Sequence, residues 1–190
     1  MGLDHLSALG RLAGRCAAEL EGPVGRYAEL VRAALASGGT VHFAGNGGSA
    51  AHAQHIATEY VVRYRPAARR AAAALALTTD SSLLTAAGND LGFEAIFARQ
   101  VEAHCRSGDL LVLVSTSGRS ANLLRAAEAA RGRGVRTVGL LAGDGGPLAG
   151  LVDHAIVVPT DDTALAQEIQ LAIDHHVCGL VERDLGGRER

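Results

Sequence analysis

The sequence of 190 residues is long enough for one domain of ordinary size. It is 48% hydrophobic and 20% charged, which excludes a wholly disordered chain, and its net charge of −2 offers no basic field to nucleic acid or to an anionic membrane. The chain has no apolar run long enough to span a membrane, and its start has no signal-peptide pattern. Because its three cysteines form no paired or metal-binding pattern, we expect a protein of the reducing cytoplasm.

The first forty residues are predicted to form two helices ahead of the main fold. Leucines recur at helical spacing from Leu3 to Leu12, and Gly22-Pro23 interrupts the pattern. A second helical stretch follows and ends at the next pair of glycines. Residues 1–38 are therefore interpreted as a helical extension of a single domain that covers residues 1–190.

Five β-prone stretches then alternate with helical ones. The predicted strands are 40–44, 72–77, 110–114, 135–141 and 154–158. The predicted helices are 49–64, 81–88, 94–104, 121–133 and 163–185, and the end at 186–190 is expected to be disordered. This alternation predicts an α/β fold in which a parallel sheet lies between helical layers and ligands bind at the carboxyl ends of the strands.

The segment 115–120, Ser115-Thr116-Ser117-Gly118-Arg119-Ser120, follows a predicted strand and opens a helix. A helix start offers unpaired backbone N–H groups and a positive dipole end, and the hydroxyls add donors, so this turn suits a phosphate group. The alternative is a run of ordinary helix-capping residues. The turn is not a nucleotide-binding P-loop, because no Gly-Lys-Ser/Thr follows it.

The glycine-rich segment 45–49 opens a helix with a polar stripe. His52, His55, Glu59 and Arg63 follow one another at steps of three or four residues and share one helical face. A histidine and a carboxylate four residues apart are a common pair of metal ligands, and a solvated polar face is the alternative. The glycines fit the dinucleotide fingerprint G-x-G-x-x-G poorly, because position 50 is an alanine.

Two further polar pairs are candidates for the site. Gln167 and His175 lie in one quadrant of the last predicted helix, but a separation of eight residues is a rise of about 12 Å. Both reach one metal only if they lean together or if a neighbouring subunit supplies one of them. Asn89 and Asp90 suit sugar hydroxyls, although Gly-Asn-Asp is also ordinary turn chemistry.

These segments, in this order, resemble the sugar isomerase (SIS) domain family, and within it the phosphoheptose isomerases. The resemblance spans about residues 3–185, and its motifs are 45–51, Gln54-His55 with Glu59, 88–90, 115–118 with Ser120, 144–146, and Gln167-Glu168 with His175. It implies a three-layer α-β-α sandwich of flavodoxin-like type around a five-stranded parallel sheet. It also implies a homotetramer in which the N-terminal helices pack and the active sites lie at subunit interfaces.

The resemblance also implies a role for each site residue. It implies one Zn²⁺ per subunit, held by His55, Glu59, Gln167 and His175, with Glu59 and His175 as the catalytic pair. For substrate binding it implies Asn46, Gly47, Gly48, Asn89, Asp90, Ser115, Thr116, Ser117 and Ser120. We expect Ser49, Glu59, Arg63 and Gln167 to bind substrate as well. His52 and Arg119 depart from the common pattern. We interpret His52 as an interface residue, with a place near the metal as the alternative, and Arg119 as added charge at the phosphate site.

The implied reaction converts sedoheptulose 7-phosphate to D-glycero-D-manno-heptose 7-phosphate, the first step of nucleotide-activated heptose synthesis. A proton moves between C1 and C2 through an enediol, with Glu59 as the base and His175 as the acid–base partner. Because a carboxylate bound to zinc is a weaker base, the sequence does not choose between the two roles of Glu59. The alternatives are an isomerase or sensor of another sugar phosphate and a non-catalytic relative of the replication-initiator-associating type.

Overall fold

The computed structural model describes residues 3–65 and 69–185. Its helices are α1 (Asp4–Glu19), α2 (Glu21–Ala36), α3 (Gly48–Val61), α4 (Ser81–Leu91), α5 (Ile96–His104), α6 (Ala121–Gly132), α7 (Gly146–Ala149) and α8 (Thr163–Leu185). Its strands are β1 (Val41–Gly45), β2 (Ala74–Ala76), β3 (Leu110–Val114), β4 (Arg136–Ala142) and β5 (His154–Val158).

The five strands form one parallel sheet in the order β2-β1-β3-β4-β5. β1 and β3 are neighbours, and Gly45 at the end of β1 pairs with Val114 at the end of β3. The glycine-rich and serine-rich segments therefore leave the sheet side by side at its carboxyl edge. The predicted α/β fold with its parallel sheet is confirmed.

Helices cover both faces of the sheet. Along β3, Leu110, Val112 and Val114 pack into one cluster with α1, α2, α3 and α8, while Leu111 and Leu113 pack into a second cluster with α4, α5, α6 and α7. Every residue of β3 is buried, which explains why this strand is a continuous apolar run and not an alternating one. The layers are those of the predicted three-layer sandwich.

The structure corrects the prediction that α4 ends at residue 88. Asp80 begins this helix by accepting a hydrogen bond from the backbone N–H of Leu83, and the helix continues to Leu91. Gly92 then ends it at φ +92°, a conformation that favours glycine. Asn89 and Asp90 consequently lie in the last turn of a helix and not in a loop.

Three smaller differences concern the other elements. α3 ends at Val61 and not at the predicted residue 64. β2 is shorter than the predicted strand 72–77, consistent with its alanine-rich sequence. The loop after β4 contains the short helix α7. The predicted disordered tail lies outside the described residues. Within residues 3–65 and 69–185, every helix is too short or too polar to cross a lipid bilayer.

Candidate active site

An amide pair joins the glycine loop that follows β1 to helix α6. The Nδ2 of Asn46 donates to Oδ1 of Asn122 at 2.9 Å, and Nδ2 of Asn122 donates back to Oδ1 of Asn46 at 2.8 Å. Asn122 is buried in the first turn of α6. The pair fixes the side chain of Asn46 at the carboxyl edge of the sheet. The sequence analysis did not identify Asn122 as a site residue. The only indication in the sequence was its position two residues after Ser120.

The serine-rich turn 115–120 is shaped by its own hydroxyls. Ser115 Oγ accepts from the Gly118 N–H at 3.0 Å, and Ser117 Oγ accepts from the Arg119 N–H at 3.2 Å. Ser120 occupies the N-cap position of α6, and its side chain forms no capping hydrogen bond there. The Ser120 hydroxyl is therefore not used to cap the helix and can bind a ligand.

The turn rests on the loop that follows β4. Gly118 has φ +61°, and a Cβ at this position would lie 1.9 Å from the carbonyl oxygen of Gly145. A Cβ on Gly146 would likewise lie 2.5 Å from the carbonyl oxygen of Ser117. The two loops pack backbone against backbone, which explains the glycines of the 144–146 motif.

A cavity of about 380 Å³ opens beside the turn. It is lined by Thr116, Ser117, Arg119, Asp144, residues 160–163 and Ala166, among others. Its volume suits a small polar ligand. The guanidinium of Arg119 forms an ion pair with Asp144 at the mouth of this cavity.

A second group of functional side chains lies between α3 and α8. The Nε2 atoms of His55 and His175 are 2.9 Å apart, and His55 Nε2 lies 3.6 Å from Glu59 Oε1. One ligand atom from each of the three residues lies within 4.8 Å of the others. We call these three residues the histidine cluster. Two imidazole nitrogens and one carboxylate oxygen are a donor set that fits zinc.

The environment of His175 favours its neutral form. Burial lowers the pKa of the His175 imidazole below its ordinary value, and the charge of His55 lowers it further against the opposing effect of Glu59. A histidine must be neutral to bind a metal, so the folded site holds His175 in the required form.

Gln167 lies at the other end of the contact between α3 and α8. A Cβ on Gly48, at the start of α3, would lie 2.7 Å from Gln167 Nε2 and 2.9 Å from its Oε1. The two helices run side by side in the same direction, so Gln167 faces the start of α3 and His175 faces its middle. The structure brings together three of the four predicted metal ligands, and a metal contact of Gln167 stays a prediction.

The structure corrects the interpretation of His52 as an interface residue. His52 is 8% exposed, and its Nε2 lies 2.8 Å from Oδ2 of Asp174. Tyr27 donates its hydroxyl proton to the other oxygen of Asp174 at 2.6 Å. His52 faces the interior because its side of α3 packs against α8. Sequence reasoning missed Asp174, although a carboxylate on the apolar face of α8 was a signal.

Other predicted substrate-binding residues are exposed in the single chain. Arg63 is exposed beyond the end of α3. Asn89 donates to Asp90 at 2.7 Å, and both are exposed. Among residues 3–65 and 69–185, neither Asn89 nor Asp90 forms a hydrogen bond to the glycine loop, the serine-rich turn or the histidine cluster.

Known proteins resemble this chain in sequence and in fold. The family model described as "SIS domain" matches residues 4–142. The chain belongs to the SIS domain family. Among similar members of this family, it is 52% identical to a phosphoheptose isomerase of Geobacter sulfurreducens over 88% of each chain. It is 51% identical to one of Rhodospirillum rubrum over 84% of each chain.

Solved structures of the SIS family extend the likeness to the last helix. The phosphoheptose isomerase of Neisseria gonorrhoeae superimposes with a TM-score of 0.90 at 39% identity, covering 95% of this chain and 96% of that one. The enzyme of Francisella tularensis gives a TM-score of 0.91 at 32% identity, covering 95% of each chain. The whole sandwich, and not only the region matched by the family model, is therefore similar to phosphoheptose isomerases.

Proposed function

We propose that this protein is an aldose–ketose isomerase that interconverts sedoheptulose 7-phosphate and D-glycero-D-manno-heptose 7-phosphate in the cytoplasm, as the first step toward nucleotide-activated heptose. The observation that carries the proposal is the histidine cluster, in which His55, Glu59 and His175 converge from two helices. Relatives that are about half identical to this chain bear the name of this activity.

The histidine cluster supplies the groups for proton transfer. Glu59 removes the carbon-bound proton of the substrate and returns it to the neighbouring carbon of the enediol. His175, kept neutral by burial and by His55, accepts and donates the oxygen-bound proton. A Zn²⁺ ion held by His55, Glu59 and His175, with Gln167 of the same or a neighbouring copy as the proposed fourth ligand, would polarise the substrate oxygens. Glu59 and His175 would then alternate between binding the ion and transferring protons.

The carboxyl edge of the sheet supplies the groups that bind substrate. Ser115, Thr116, Ser117 and Ser120 surround the start of α6, where backbone N–H groups and the helix dipole favour a phosphate. Asn46, Gly47, Gly48, Ser49 and Gln167 border the start of α3 and contact the sugar in this proposal. Arg119 adds a positive charge beside the phosphate and is balanced by Asp144 in the free protein.

The separation of these two groups favours an active site shared between subunits. His55 and Glu59 lie about 10–17 Å along α3 from the glycine loop, which exceeds the reach of their side chains. We propose a homotetramer in which another copy completes the site and contributes the exposed residues Arg63, Asn89 and Asp90. Residues 1–190 then act as one SIS domain, with residues 1–38 packing in the oligomer.

An apolar groove offers a surface for that assembly. It lies between α1, α2 and α8, encloses about 600 Å³, and is lined by Cys16, Leu20, Val24, Ile169, Ile173 and Leu180, among others. A second copy of the chain is the occupant that we propose, because the groove continues from the helices of residues 1–38 onto the helix that carries His175.

An isomerase assay with sedoheptulose 7-phosphate tests the proposed function. We expect Glu59→Gln and His175→Ala to lower kcat by about 10²- to 10⁴-fold, since each removes a general acid–base group. Chelation should abolish turnover, and added zinc should restore it. Glu102→Gln and His104→Ala, both exposed on α5, are the matched controls and should leave kcat unchanged.

Two results would contradict this proposal in different ways. Turnover that survives in both cluster variants would remove Glu59 and His175 from the chemistry. Binding of the sugar phosphate without turnover in the parent protein would favour another sugar phosphate as substrate, or a non-catalytic role.

A further inference from the structure

Two aromatic rings enclose the imidazole of His175. The Tyr64 ring stacks on it with centroids 5.2 Å apart and planes inclined by 20°. The His55 ring meets it edge-on with centroids 5.1 Å apart and planes inclined by 70°. Both centroid separations lie in the range of favourable aromatic contacts. The orientation of the His175 ring is thus limited on two sides.

The Tyr64 ring packs on helix α8. Gly179 lies one helical turn beyond His175, and a Cβ at this position would lie 3.4 Å from Cε1 of Tyr64. The ring therefore lies at van der Waals distance from the surface of α8 at this position. His175 and Gly179 together form the surface on which Tyr64 lies.

Tyr64 follows the end of α3, and a carboxylate on α8 holds its backbone. The N–H of Tyr64 donates to Oε1 of Glu182 at 3.0 Å, and the N–H of Arg65 donates to Oε2 at 3.0 Å. Glu182 lies two turns beyond His175 on the same helix. The segment that carries the Tyr64 ring and the helix that carries His175 are thus joined directly.

A buried arginine completes the attachment. Arg69 Nε donates to Glu182 Oε1 at 2.9 Å, and the same guanidinium donates to the carbonyl oxygens of Tyr60 and Glu59 at the end of α3. The Arg69 side chain is only 2% exposed. Burial raises the pKa of Glu182, but the hydrogen bonds from Arg69, Tyr64 and Arg65 outweigh it and leave the pKa below its ordinary value. Glu182 therefore stays ionised and keeps its partners.

We propose that Tyr64 is a positioning residue, which holds the His175 imidazole so that Nε2 points at His55 and Glu59. This inference rests on the proposed role of His175 as a metal ligand and acid–base group. Tyr64 acts through its ring face, because its hydroxyl forms no hydrogen bond among residues 3–65 and 69–185. A phenylalanine at position 64 should therefore preserve the position of the His175 ring, whereas an aliphatic side chain should not.

The test compares Tyr64→Leu with Tyr64→Phe. For the metal-free proteins we would measure the Zn²⁺ dissociation constant by chelator competition, and for the loaded proteins kcat and KM. We expect Tyr64→Leu to weaken zinc binding by about tenfold, the low end for groups that orient metal ligands. Its kcat should fall in parallel while KM changes less than twofold, and Tyr64→Phe should match the parent.

Phe43→Leu is the matched control, because it also removes a stacked ring. Phe43 stacks on Tyr60 in the core with centroids 5.9 Å apart, away from His175. We expect it to lower the thermal midpoint and leave zinc affinity unchanged. Equal losses of zinc affinity in Phe43→Leu and Tyr64→Leu would overturn the proposal, as would a Tyr64→Phe protein as impaired as Tyr64→Leu.

A metal-independent measurement separates this proposal from the proposed function. In the metal-free protein, the ring protons of His175 should carry a ring-current shift that Tyr64→Leu removes and Tyr64→Phe keeps. A parent protein that binds no zinc would contradict the metal site, and the His175 resonances would still decide on Tyr64. Unchanged resonances in Tyr64→Leu would overturn the role of Tyr64 alone.

Discussion

The carboxylate of Asp174 joins three helices behind the histidine cluster. It accepts a hydrogen bond from Tyr27 on α2 and contacts His52 on α3, and it is fully buried. Burial raises the pKa of the Tyr27 phenol well above its ordinary value, and the charge of Asp174 adds to this effect. The phenol therefore stays protonated and remains a donor.

Replacing this carboxylate should destabilise the protein. Asp174→Ala leaves Tyr27 and His52 without a partner, and each orphaned buried polar group costs about 1–3 kcal/mol. We expect the free energy of unfolding to fall by about 3 kcal/mol, measured by urea denaturation. Tyr27→Phe removes one of the two contacts and should cost less.

Asp184→Ala is the control for this change. Asp184 lies on the exposed side of α8, where its pair with Arg32 is worth less than about 1 kcal/mol. Equal stabilities of the Asp174→Ala and Asp184→Ala proteins would show that the buried network contributes nothing to folding.

At the scale of single residues, the sequence predicts the site residues that share one helix and misses those whose partners are distant in sequence. His55 and Glu59 were found because both lie on one helix, where spacing determines the shared face. Asn122 pairs with a residue 76 positions away, and Asp174 pairs with one 122 positions away. No local periodicity encodes such a pair. Tyr64 was missed because the sequence places it inside the predicted helix 49–64, whereas α3 ends at Val61 and the chain then turns toward α8.

At the scale of elements, the interlocked loops after β3 and β4 form the proposed phosphate site. Gly118 and Gly145 bring the backbones of the two loops into contact. A Cβ added to Gly118 would therefore meet backbone atoms and not a flexible side chain that could move aside. The shape of one loop is therefore fixed by the other. The proposed phosphate site depends on both strands.

Gly118→Ala should damage substrate binding. Its Cβ would overlap the Gly145 carbonyl at 1.9 Å, and φ +61° strains a side chain. We expect KM for the sugar phosphate to rise at least tenfold in steady-state assays. Gly132→Ala at the end of α6 meets nothing within 4 Å and should leave KM unchanged. Unaltered KM in Gly118→Ala would contradict the assignment of this turn to phosphate.

Helices and strands were predictable from the sequence where a single hydrophobicity pattern dominated the segment. β3 is apolar throughout because helices cover both of its faces, and its bounds were predicted correctly. The end of α4 was not, because Gly88, Asn89 and Asp90 have turn composition. The helix ends at Gly92, because this residue adopts a positive φ whereas Gly88, Asn89 and Asp90 do not.

At the scale of the whole molecule, both ends of the chain build one helical layer. α1 and α2 pack with α3 and α8 on the same face of the sheet. The apolar groove between α1, α2 and α8 lies on this layer. The helices proposed to mediate assembly are thus in contact with a helix that carries the histidine cluster.

Ala172→Arg should separate the subunits. Ala172 is exposed and lines the groove, so an arginine there would place a charge in the proposed interface. Light scattering should show the parent at about four times the chain mass of 19.5 kDa and the variant at a smaller mass. Because the site is proposed to be shared, kcat/KM should fall by at least about tenfold.

Ala103→Arg, on α5 in the opposite layer, is the control and should keep the parent mass and activity. A dissociated Ala172→Arg protein with full activity would contradict the shared site.

The pair of His55 and His175 spans 120 positions, and α8 is the last element of the fold. During translation the first histidine leaves the ribosome long before the second. A partly synthesised chain therefore has half of the cluster and lacks the helix that completes it. Binding of the proposed ion by both histidines would therefore require that α8 has been synthesised and has docked against α3.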